Sequence, residues 1–163
     1  MQSFCPTFQF RLFGIDDRRC GLKTGTDGVL LGAWACCVRS DGHMLDVGAG
    51  SGLIGLMLAQ RYSEAKITAV EIDAGSYADL CLNAAASPWS NRITAVNGDF
   101  RTATGKYDLI VCNPPFFTTG DRAPDSARAL ARHASDLSPL SLLRFAAGNM
   151  AEGGRTAMIA PVE

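Results

Sequence analysis

The sequence predicts a single α/β domain with a doubly wound, mostly parallel sheet. Short apolar runs with the composition of buried strands alternate with segments of helical periodicity, and this order favours a parallel sheet. One of these strands, residues 44–47, leads through a glycine-rich turn into an apolar helix at 53–59. With 163 residues and 47% hydrophobic content, the chain can bury one sizeable core, so we treat residues 1–163 as one domain.

The element expected ahead of the glycine turn is a hairpin. Residues 8–12 and 19–23 have the pattern of two strands, and the hairpin that they form, at about 8–24, is expected to turn at 15–17. The core is expected to follow from about residue 26 to residue 163.

Four further strands are expected after the glycine turn. They lie at 67–70, 93–96, 107–112 and 156–161, and the last follows a helix near 137–149 and a turn at Glu152, Gly153 and Gly154. The loop at 118–135 is rich in small and charged residues and is expected to lie over a pocket. Because open α/β sheets bind ligands beyond the carboxyl ends of their strands, the residues that follow each strand are the candidates for a site.

The glycine-rich turn has the composition of a nucleoside-binding loop. It contains Gly48, Gly50 and Gly52, and glycine permits both unusual dihedral angles and close approach of a ligand to the backbone. The turn also fits the G-x-G-x-x-G pattern of dinucleotide enzymes, which alone is a weak signal, and an unrelated strand-helix connection is a further interpretation. Asp46, directly ahead of the turn, disfavours a dinucleotide because a carboxylate repels a pyrophosphate. It is suited to orienting the turn or to accepting hydrogen bonds from a cationic amino-acid group.

Two acidic residues follow the next strands along the chain. Glu71 ends the strand that contains 67–70, where an acidic side chain accepts hydrogen bonds from both ribose hydroxyls. Asp99 follows the strand at 93–96, where a carboxylate can accept a hydrogen bond from an adenine amino group. Taken alone, Glu71 is also typical of a solvated strand end, and Asp99 of a turn or a helix cap. Their order and spacing favour a nucleoside site.

The candidate catalytic residues are Asn113, Pro114, Pro115 and Phe116, which follow the strand at 107–112. Two consecutive prolines fix their φ angles and remove two backbone donors, so this loop is stiff and presents carbonyl oxygens. The Asn113 side-chain oxygen and the Pro114 carbonyl can each accept one N–H of an amine conjugated to a purine, so that its lone pair points at a methyl donor. Phe116 offers a face on which a planar base can stack. A proline-rich turn with one core Phe is the alternative.

The Asn-Pro-Pro-Phe sequence and the glycine turn together resemble the amino-group methyltransferases that act on adenine N6, guanine N2 or the glutamine amide of release factors. Residues 22–34 resemble a segment of the bacterial tRNA1(Val) adenine-N6 methyltransferases, and residues 86–93 fit the same family closely. The likeness spans the chain from about Phe8 to Pro161. It implies a class I methyltransferase, Rossmann-like fold, S-adenosyl-L-methionine as cofactor with S-adenosyl-L-homocysteine as product, and N6-methylation of the adenine next to the anticodon of a tRNA.

The resemblance also implies roles for individual residues. Residues that would help to close the cofactor pocket are Lys23, Thr24, Gly25, Thr26 and Asp27, and those that would bind the cofactor are Asp46, Gly48, Gly50, Gly52, Glu71 and Asp99. Asn113, Pro114, Pro115 and Phe116 would hold the base. Thr26 or Asp27 is also suited to capping the helix through Ala35, and Lys23 to being a solvated charge.

The sequence departs from the family pattern in its number of strands. A class I methyltransferase sheet has seven strands in the order 3-2-1-4-5-7-6, with the last pair antiparallel, whereas the sequence indicates five core strands. A sheet that stops after the fifth strand would expose an apolar edge, a liability that proteins usually cover. We therefore expect strands 6 and 7 to be absent because the chain is a fragment of a longer protein, and their loss could weaken cofactor binding and activity.

The charge balance does not by itself indicate an RNA-binding protein. A net charge of −1 and a pI near 6.1 argue against a nonspecific nucleic-acid binder. Two basic clusters would flank the mouth of the pocket, although solvated surface charge is the commoner explanation. They are Arg11, Arg18, Arg19 and Lys23 before the turn, and Arg122, Arg128, Arg132 and His133 after the Asn-Pro-Pro-Phe loop. The implied partner is a tRNA, and the sequence makes no prediction of the oligomeric state.

The cysteines and the hydropathy of the chain indicate the cellular compartment in which we expect the protein. Six cysteines lack metal-ligand or CxxC spacing and lie mostly in apolar stretches, so we expect reduced core thiols in a cytoplasmic protein without a metal site. The sequence has no run long enough to span a bilayer and no signal-peptide pattern, so no membrane partner is expected.

The alternative functions are two related methyltransferase activities and one role without catalysis. An rRNA guanine-N2 methyltransferase or a release-factor glutamine-N5 methyltransferase would act on a related amine, and the Lys-x-Gly-Thr-Asp-Gly segment disfavours both. A non-catalytic RNA-binding or assembly module would keep the fold without turnover. The intact Asp46, Glu71, Asp99 and Asn113 argue against such a module.

Overall fold

The computed structural model describes residues 4–114 and 137–160. Within these ranges it contains an N-terminal hairpin, four α-helices and a five-stranded sheet. Predicted features that lie outside the described residues are Pro115, Phe116, the loop at 118–135 and the second basic cluster.

The elements follow the alternating order that the sequence predicts. The strands are β1 (Phe8–Gln9), β2 (Gly14–Ile15), β3 (His43–Val47), β4 (Lys66–Glu71), β5 (Ile93–Asn97), β6 (Tyr107–Cys112) and β7 (Met150–Met158). The helices are α1 (Thr26–Trp34), α2 (Leu53–Arg61), α3 (Ala74–Ala86) and α4 (Pro139–Asn149).

The five-stranded sheet has the order β5-β4-β3-β6-β7, and every neighbouring pair is parallel. From β3 the chain builds outwards through β4 to β5, then crosses back to add β6 and β7 on the other side of β3. This reversal makes the boundary between β3 and β6 the topological switch point, where open α/β sheets have their ligand crevice. The doubly wound, mostly parallel fold is confirmed, with strands in the positions of the first five of the family order.

Helices cover both faces of the sheet, as a parallel sheet requires. On one face, Leu31 of α1 and Leu58 of α2 pack with Met44 and Ile67. On the other face, Leu142 of α4 packs with residues of β3 and β6 that include Leu45 and Ile110. Because side chains alternate along a strand, Asp46 shares the face of Met44 and points towards α2.

The predicted hairpin is correct in its first strand and wrong in its second. β1 pairs with β2 at Phe8↔Ile15 and Gln9↔Gly14, so the chain turns at 10–13. Ile15 and Asp16, assigned by the sequence to the turn, are completely buried, and 19–23 does not form a strand. The reason is that the Asp16 and Arg19 N–H groups donate to the side chains of Asn83 and Asp79, far away in the chain, which local sequence pattern does not reveal.

The last strand begins earlier than predicted. The residues Glu152, Gly153 and Gly154 lie inside β7 instead of ahead of it. The pairing with β6 passes from Tyr107↔Met150 to Leu109↔Arg155, so several residues of β7 are accommodated as an irregularity. Gly153 has a φ of 73°, a value that glycine adopts without strain, and this explains how turn-like residues occur within a strand.

Among residues 4–114 and 137–160, no helix is long and apolar enough to cross a bilayer. All six cysteines are free thiols, and Cys20, Cys37 and Cys112 are buried as expected for core thiols. Cys5 and Cys36 are exposed, so the expectation of mostly buried thiols holds for only half of the set.

Candidate active site

A cavity of about 590 Å³ lies beyond the carboxyl ends of β3, β4, β5 and β6, at the switch point of the sheet. This volume is in the usual range for a site that takes a small molecule. Predicted site residues that line it are Lys23, Thr24, Gly25, Thr26, Asp27, Gly48, Gly50, Glu71, Asp99, Asn113 and Pro114. The structure therefore brings both candidate loops to one cavity, whereas Asp46 and Gly52 lie behind its wall.

The glycine turn adopts backbone angles that other residues rarely take. Gly48, Gly50 and Gly52 have φ values of 64°, 55° and 83°. A Cβ at residue 52 would lie 2.5 Å from Leu80 Cδ1, whereas one at residue 50 would meet no atom within 4 Å. The turn thus packs tightly against α3 at Gly52 and is open to the cavity at Gly50.

Asp46 orients the turn from below. Its carboxylate is buried, and Oδ2 accepts a hydrogen bond from the Gly55 N–H at 2.9 Å, which ties the end of β3 to the first turn of α2. Burial, with a smaller contribution from the nearby Glu71 charge, raises the pKa of Asp46 to about 7 even though the Gly55 hydrogen bond lowers it. Of the two roles predicted for Asp46, the geometry supports the orienting role, because β3 directs its side chain to the α2 face and away from the cavity.

Glu71 is held rigidly in the cavity wall. Its Oε2 accepts the Gly50 N–H at 2.8 Å and its Oε1 accepts the Asp73 N–H at 2.8 Å. Only 8% of the residue is exposed, so it is not a solvated strand end, and burial raises the pKa of its carboxyl group. A carboxylate oxygen can accept more than one hydrogen bond, so both Glu71 oxygens retain the capacity to accept from hydroxyl groups in the cavity.

Asp99 has the capping role that the sequence left open as an alternative, and it also lies at the cavity. It lines the cavity and also caps the 3₁₀ turn Phe100–Thr102, where it accepts the Arg101 N–H at 2.9 Å. The Arg101 guanidinium bonds both of its oxygens, and this contact holds the pKa of Asp99 below its ordinary value. Asp99 is therefore a fixed anion at the cavity rim.

The segment from residue 16 to residue 24, here called the wall segment, forms the opposite side of the cavity with the start of α1. The Lys23 ammonium donates to the carbonyls of Asp17 and Arg18, at 2.7 and 3.0 Å, and the Thr24 N–H donates to Asp17 Oδ2 at 2.6 Å. Lys23 is thus a structural cross-link within the wall instead of a solvated charge. Gly25 is the N-cap of α1 without a side-chain bond, so neither Thr26 nor Asp27 caps this helix.

Asn113 lies beside the glycine turn because β3 and β6 are paired up to Val47↔Cys112. The first turn of α1 approaches it closely: a Cβ at Gly28 would lie 3.9 Å from Asn113 Nδ2 and 3.0 Å from Leu53 Cδ2. Burial raises the pKa of the Cys112 thiol, so the group adjoining Asn113 on the chain is neutral and does not supply a nucleophile.

The first basic cluster is largely engaged within the protein. Arg18 pairs with Asp16, Arg19 pairs with Asp79, and Lys23 bonds two carbonyls as described above. These contacts stabilise the wall segment, and they indicate a structural role for these three residues that the sequence did not predict.

Sequence reasoning missed several residues of the cavity and its support. Cys20, Ile72 and Arg101 line it, and Asp79 and Asn83 of α3 hold the wall segment. One signal was available for the last pair, because two polar residues four apart on an otherwise apolar helix face indicate specific partners. Ile72 directly follows Glu71, and Arg101 lies two residues after Asp99. Nothing in the type of either side chain indicated a place in the site.

The fold and the site together define a class of protein, the class I, S-adenosyl-L-methionine-dependent methyltransferases. The features that define it are an acidic residue near the end of the first core strand, the glycine turn after it, an acidic residue at the end of the next strand, and an Asn-Pro sequence at the switch point. The methyltransferase small domain family matches residues 29–140. The chain belongs to this family and, within it, to the tRNA1(Val) (adenine(37)-N6)-methyltransferases. The resemblance stated from the sequence is thereby confirmed.

The relatives that support this membership carry that name. The chain is 46% identical to the one from Aeromonas hydrophila over 94% of this chain and 66% of the relative. It is 43% identical to the one from Bacteroides fragilis over 97% of this chain and 68% of the relative. The chain spans about two thirds of the length of these relatives.

Solved structures agree with the fold. TrmN from Thermus thermophilus matches 80% of this chain and 36% of its own, with a TM-score of 0.61 and 24% identity. A methyltransferase from Thiobacillus denitrificans, solved in complex with S-adenosyl-L-homocysteine, matches 83% of this chain and 48% of its own, with a TM-score of 0.60 and 17% identity.

Proposed function

We propose that this chain carries the catalytic domain of an S-adenosyl-L-methionine-dependent tRNA (adenine-N6)-methyltransferase that acts on the adenine next to the anticodon of tRNA1(Val). The observation that carries the proposal is that one cavity is lined both by the Glu71 and Asp99 carboxylates and by the Asn113-Pro114 loop. The substrate in this proposal is taken from the relatives, which are named as tRNA1(Val) (adenine(37)-N6)-methyltransferases. A cytoplasmic location follows from a tRNA substrate.

The cofactor assignments rest on the chemistry of the donor and acceptor groups in the wall. Glu71 offers two fixed carboxylate oxygens to the ribose hydroxyls, and its orientation is set by two backbone N–H groups. Asp99 offers an acceptor to the adenine amino group from the next strand along the sheet. Gly50 leaves room for close backbone approach, because a Cβ there would meet no atom within 4 Å, whereas a Cβ at Gly48 would lie 2.9 Å from Leu137 Cδ2.

The amino end of α1 carries a partial positive charge and favours a negatively charged group of the ligand on this side of the cavity. The N–H groups at Gly25, Thr26 and Asp27 belong to the N-cap and first turn of this helix, and these residues line the cavity. They suit the carboxylate of an amino-acid moiety. Lys23 supports this wall through its two bonds to backbone carbonyls and does not need to contact the cofactor itself.

The catalytic step that we assign to Asn113 and Pro114 is positioning of the substrate amine. The bound cofactor supplies an electrophilic methyl group on a sulfonium. The Asn113 side-chain oxygen and the Pro114 carbonyl accept the two N–H groups of the adenine amine, which turns its lone pair towards the cavity and stabilises the positive charge that develops on nitrogen. After transfer the nitrogen loses one proton to solvent, and the neutral Cys112 thiol takes no part. Pro115 and Phe116 complete the assigned base-holding loop, Phe116 by stacking.

The test is transfer of labelled methyl from S-adenosyl-L-methionine in two separate reactions, one with total unmodified bacterial RNA, which is then digested to nucleosides, and one with a release factor. We expect N6-methyladenosine confined to the tRNA fraction. N2-methylguanosine in rRNA or label in a release factor would move the protein to one of the related amine methyltransferases. Cofactor binding without transfer to any of these substrates would support a non-catalytic module and overturn the proposal.

A further inference from the structure

We propose that Asn83, on α3 and outside the residues assigned to the cofactor or the base, is a positioning residue that fastens the wall segment to the glycine turn. The inference deepens the proposed function and rests on it in one respect, namely that the cavity is the cofactor site. Asn83 does not line the cavity, so it would act through the two segments that it joins.

The carboxamide of Asn83 makes three hydrogen bonds with backbone groups far away in the chain. Its Oδ1 accepts the Asp16 N–H at 2.8 Å, and its Nδ2 donates to the Asp16 carbonyl at 2.9 Å and to the Ser51 carbonyl at 2.8 Å. Only 1% of the residue is exposed. Both amide hydrogens are therefore used, one on each segment, and no solvent molecule can readily replace them.

Each end of this bridge leads directly to cavity-lining groups. On one side Ser51 lines the cavity, and its neighbour Gly50 donates its N–H to Glu71. On the other side Asp17 follows Asp16, and its carboxylate accepts the Thr24 N–H. A shift at Asn83 would consequently move the glycine turn relative to the wall segment.

Asp79 provides a second attachment on the same face of α3, four residues before Asn83. It is completely buried, its Oδ2 accepts the Arg19 N–H at 2.7 Å, and its Oδ1 accepts from the Arg19 guanidinium. The adjacent Cys20 lines the cavity. Two polar residues on one helix face thus set the distance between the two walls of the site.

Arg92 provides a matched control because it makes a comparable set of bonds away from the cavity. Its guanidinium donates to the carbonyls of Ala59, Tyr62 and Ala65, at the end of α2 and after it. None of these three residues, nor Arg92, lines the cavity. Loss of either side chain removes three bonds to backbone, but only Asn83 connects the walls of the site.

The experiment compares Asn83→Leu, which is close in size but cannot form these bonds, with Arg92→Met. S-adenosyl-L-homocysteine is titrated into each protein by calorimetry well below both melting temperatures. We expect Asn83→Leu to weaken binding about tenfold or more and Arg92→Met to change it less than about twofold, although both lower the melting temperature. Backbone amide exchange should accelerate at residues 16–25 and 48–52 in Asn83→Leu alone. Binding by Asn83→Leu within about twofold of the unaltered protein would overturn the proposal.

A milder substitution keeps the test decisive if Asn83→Leu does not fold. Asp79→Asn retains one acceptor for the Arg19 N–H and loses the ion pair, and we expect it to weaken binding about threefold. Unchanged affinity in Asp79→Asn would count against two-point fastening. Failure of the unaltered protein to bind S-adenosyl-L-homocysteine is a separate result, because it would overturn the cofactor site and the proposed function together.

Discussion

At the scale of single residues, the proposed function depends most directly on Asn113, which is assigned as an acceptor for the substrate amine. The Asn113→Ala variant loses one of the two assigned acceptors, so we expect turnover to fall about 10²–10³-fold, as it does when one transition-state hydrogen-bond partner is removed. Cofactor affinity should change little, because Asn113 is assigned to the base. Single-turnover methyl transfer and calorimetric titration of S-adenosyl-L-homocysteine measure the two effects separately. Turnover equal to that of the unaltered protein would refute the role of Asn113.

Asp46 gives a pH dependence of known sign. Its pKa is raised from 3.8 to about 7 in the folded protein, so the folded state binds more protons than the unfolded state between these values. The contribution of Asp46 to stability is therefore full below about pH 3.8 and is lost as the pH rises through about 7.

The Asp46→Asn variant removes this titration and retains an acceptor for the Gly55 N–H. The free energy of unfolding of the unaltered protein should fall as the pH is raised from about 4 to about 8, whereas that of the variant should lack this contribution. We therefore expect the variant to become more stable relative to the unaltered protein over this range. Denaturant unfolding at several pH values measures this difference. A difference that does not vary with pH would show that Asp46 is ionised normally.

At the scale of elements, the strand-helix turn depends on Gly52, whose close contact with α3 the sequence pattern does not reveal. Gly52 has a φ of 83°, and a Cβ there would lie 2.5 Å from Leu80 Cδ1. We expect Gly52→Ala to lower the free energy of unfolding by about 1–3 kcal/mol, from backbone strain and from the clash with α3.

Gly148, near the end of α4, is the control for this substitution. A Cβ there meets no atom within 4 Å, so Gly148→Ala should raise the free energy of unfolding by about 0.5–1 kcal/mol through helix propensity. Chemical denaturation of both variants measures the two effects. Equal effects of the two substitutions would contradict the geometry of the turn.

Local sequence predicted the central strands correctly and two other elements wrongly. The strands from β3 to β6 were predicted because each is an apolar run followed by a polar or glycine residue, a strong local signal. The second hairpin strand and the start of β7 were predicted wrongly, since each is decided by distant partners: the side chains that hold the wall segment, and the pairing of β7 with β6.

The site shows the same division between local and distant signals. The residues at strand ends, such as Glu71, Asp99 and Asn113, could be placed from sequence because the edge of a parallel sheet gathers them. Asp46 was expected in the site and lies behind it, because strand alternation decides on which face a residue points. The roles of Lys23 and Asn83 were not predictable, since each depends on a backbone segment brought near by folding.

At the scale of the whole molecule, the cavity lies where the strand order reverses between β3 and β6, and it brings together the residues proposed to bind the cofactor and those proposed to hold the amine. The net charge of −1 shows that general attraction to RNA is not provided by the chain as a whole. Selection of a tRNA would then depend on shape around the mouth of the cavity.

The most direct test of the central claim is to map the methylated nucleotide in unmodified tRNA1(Val) transcripts treated with the protein and S-adenosyl-L-methionine. A transcript with guanine in place of the adenine next to the anticodon is the matched control. The proposed function predicts one N6-methyladenosine at that adenine and none in the control transcript. Equal methylation of both transcripts, or methylation only at another nucleotide, would contradict it.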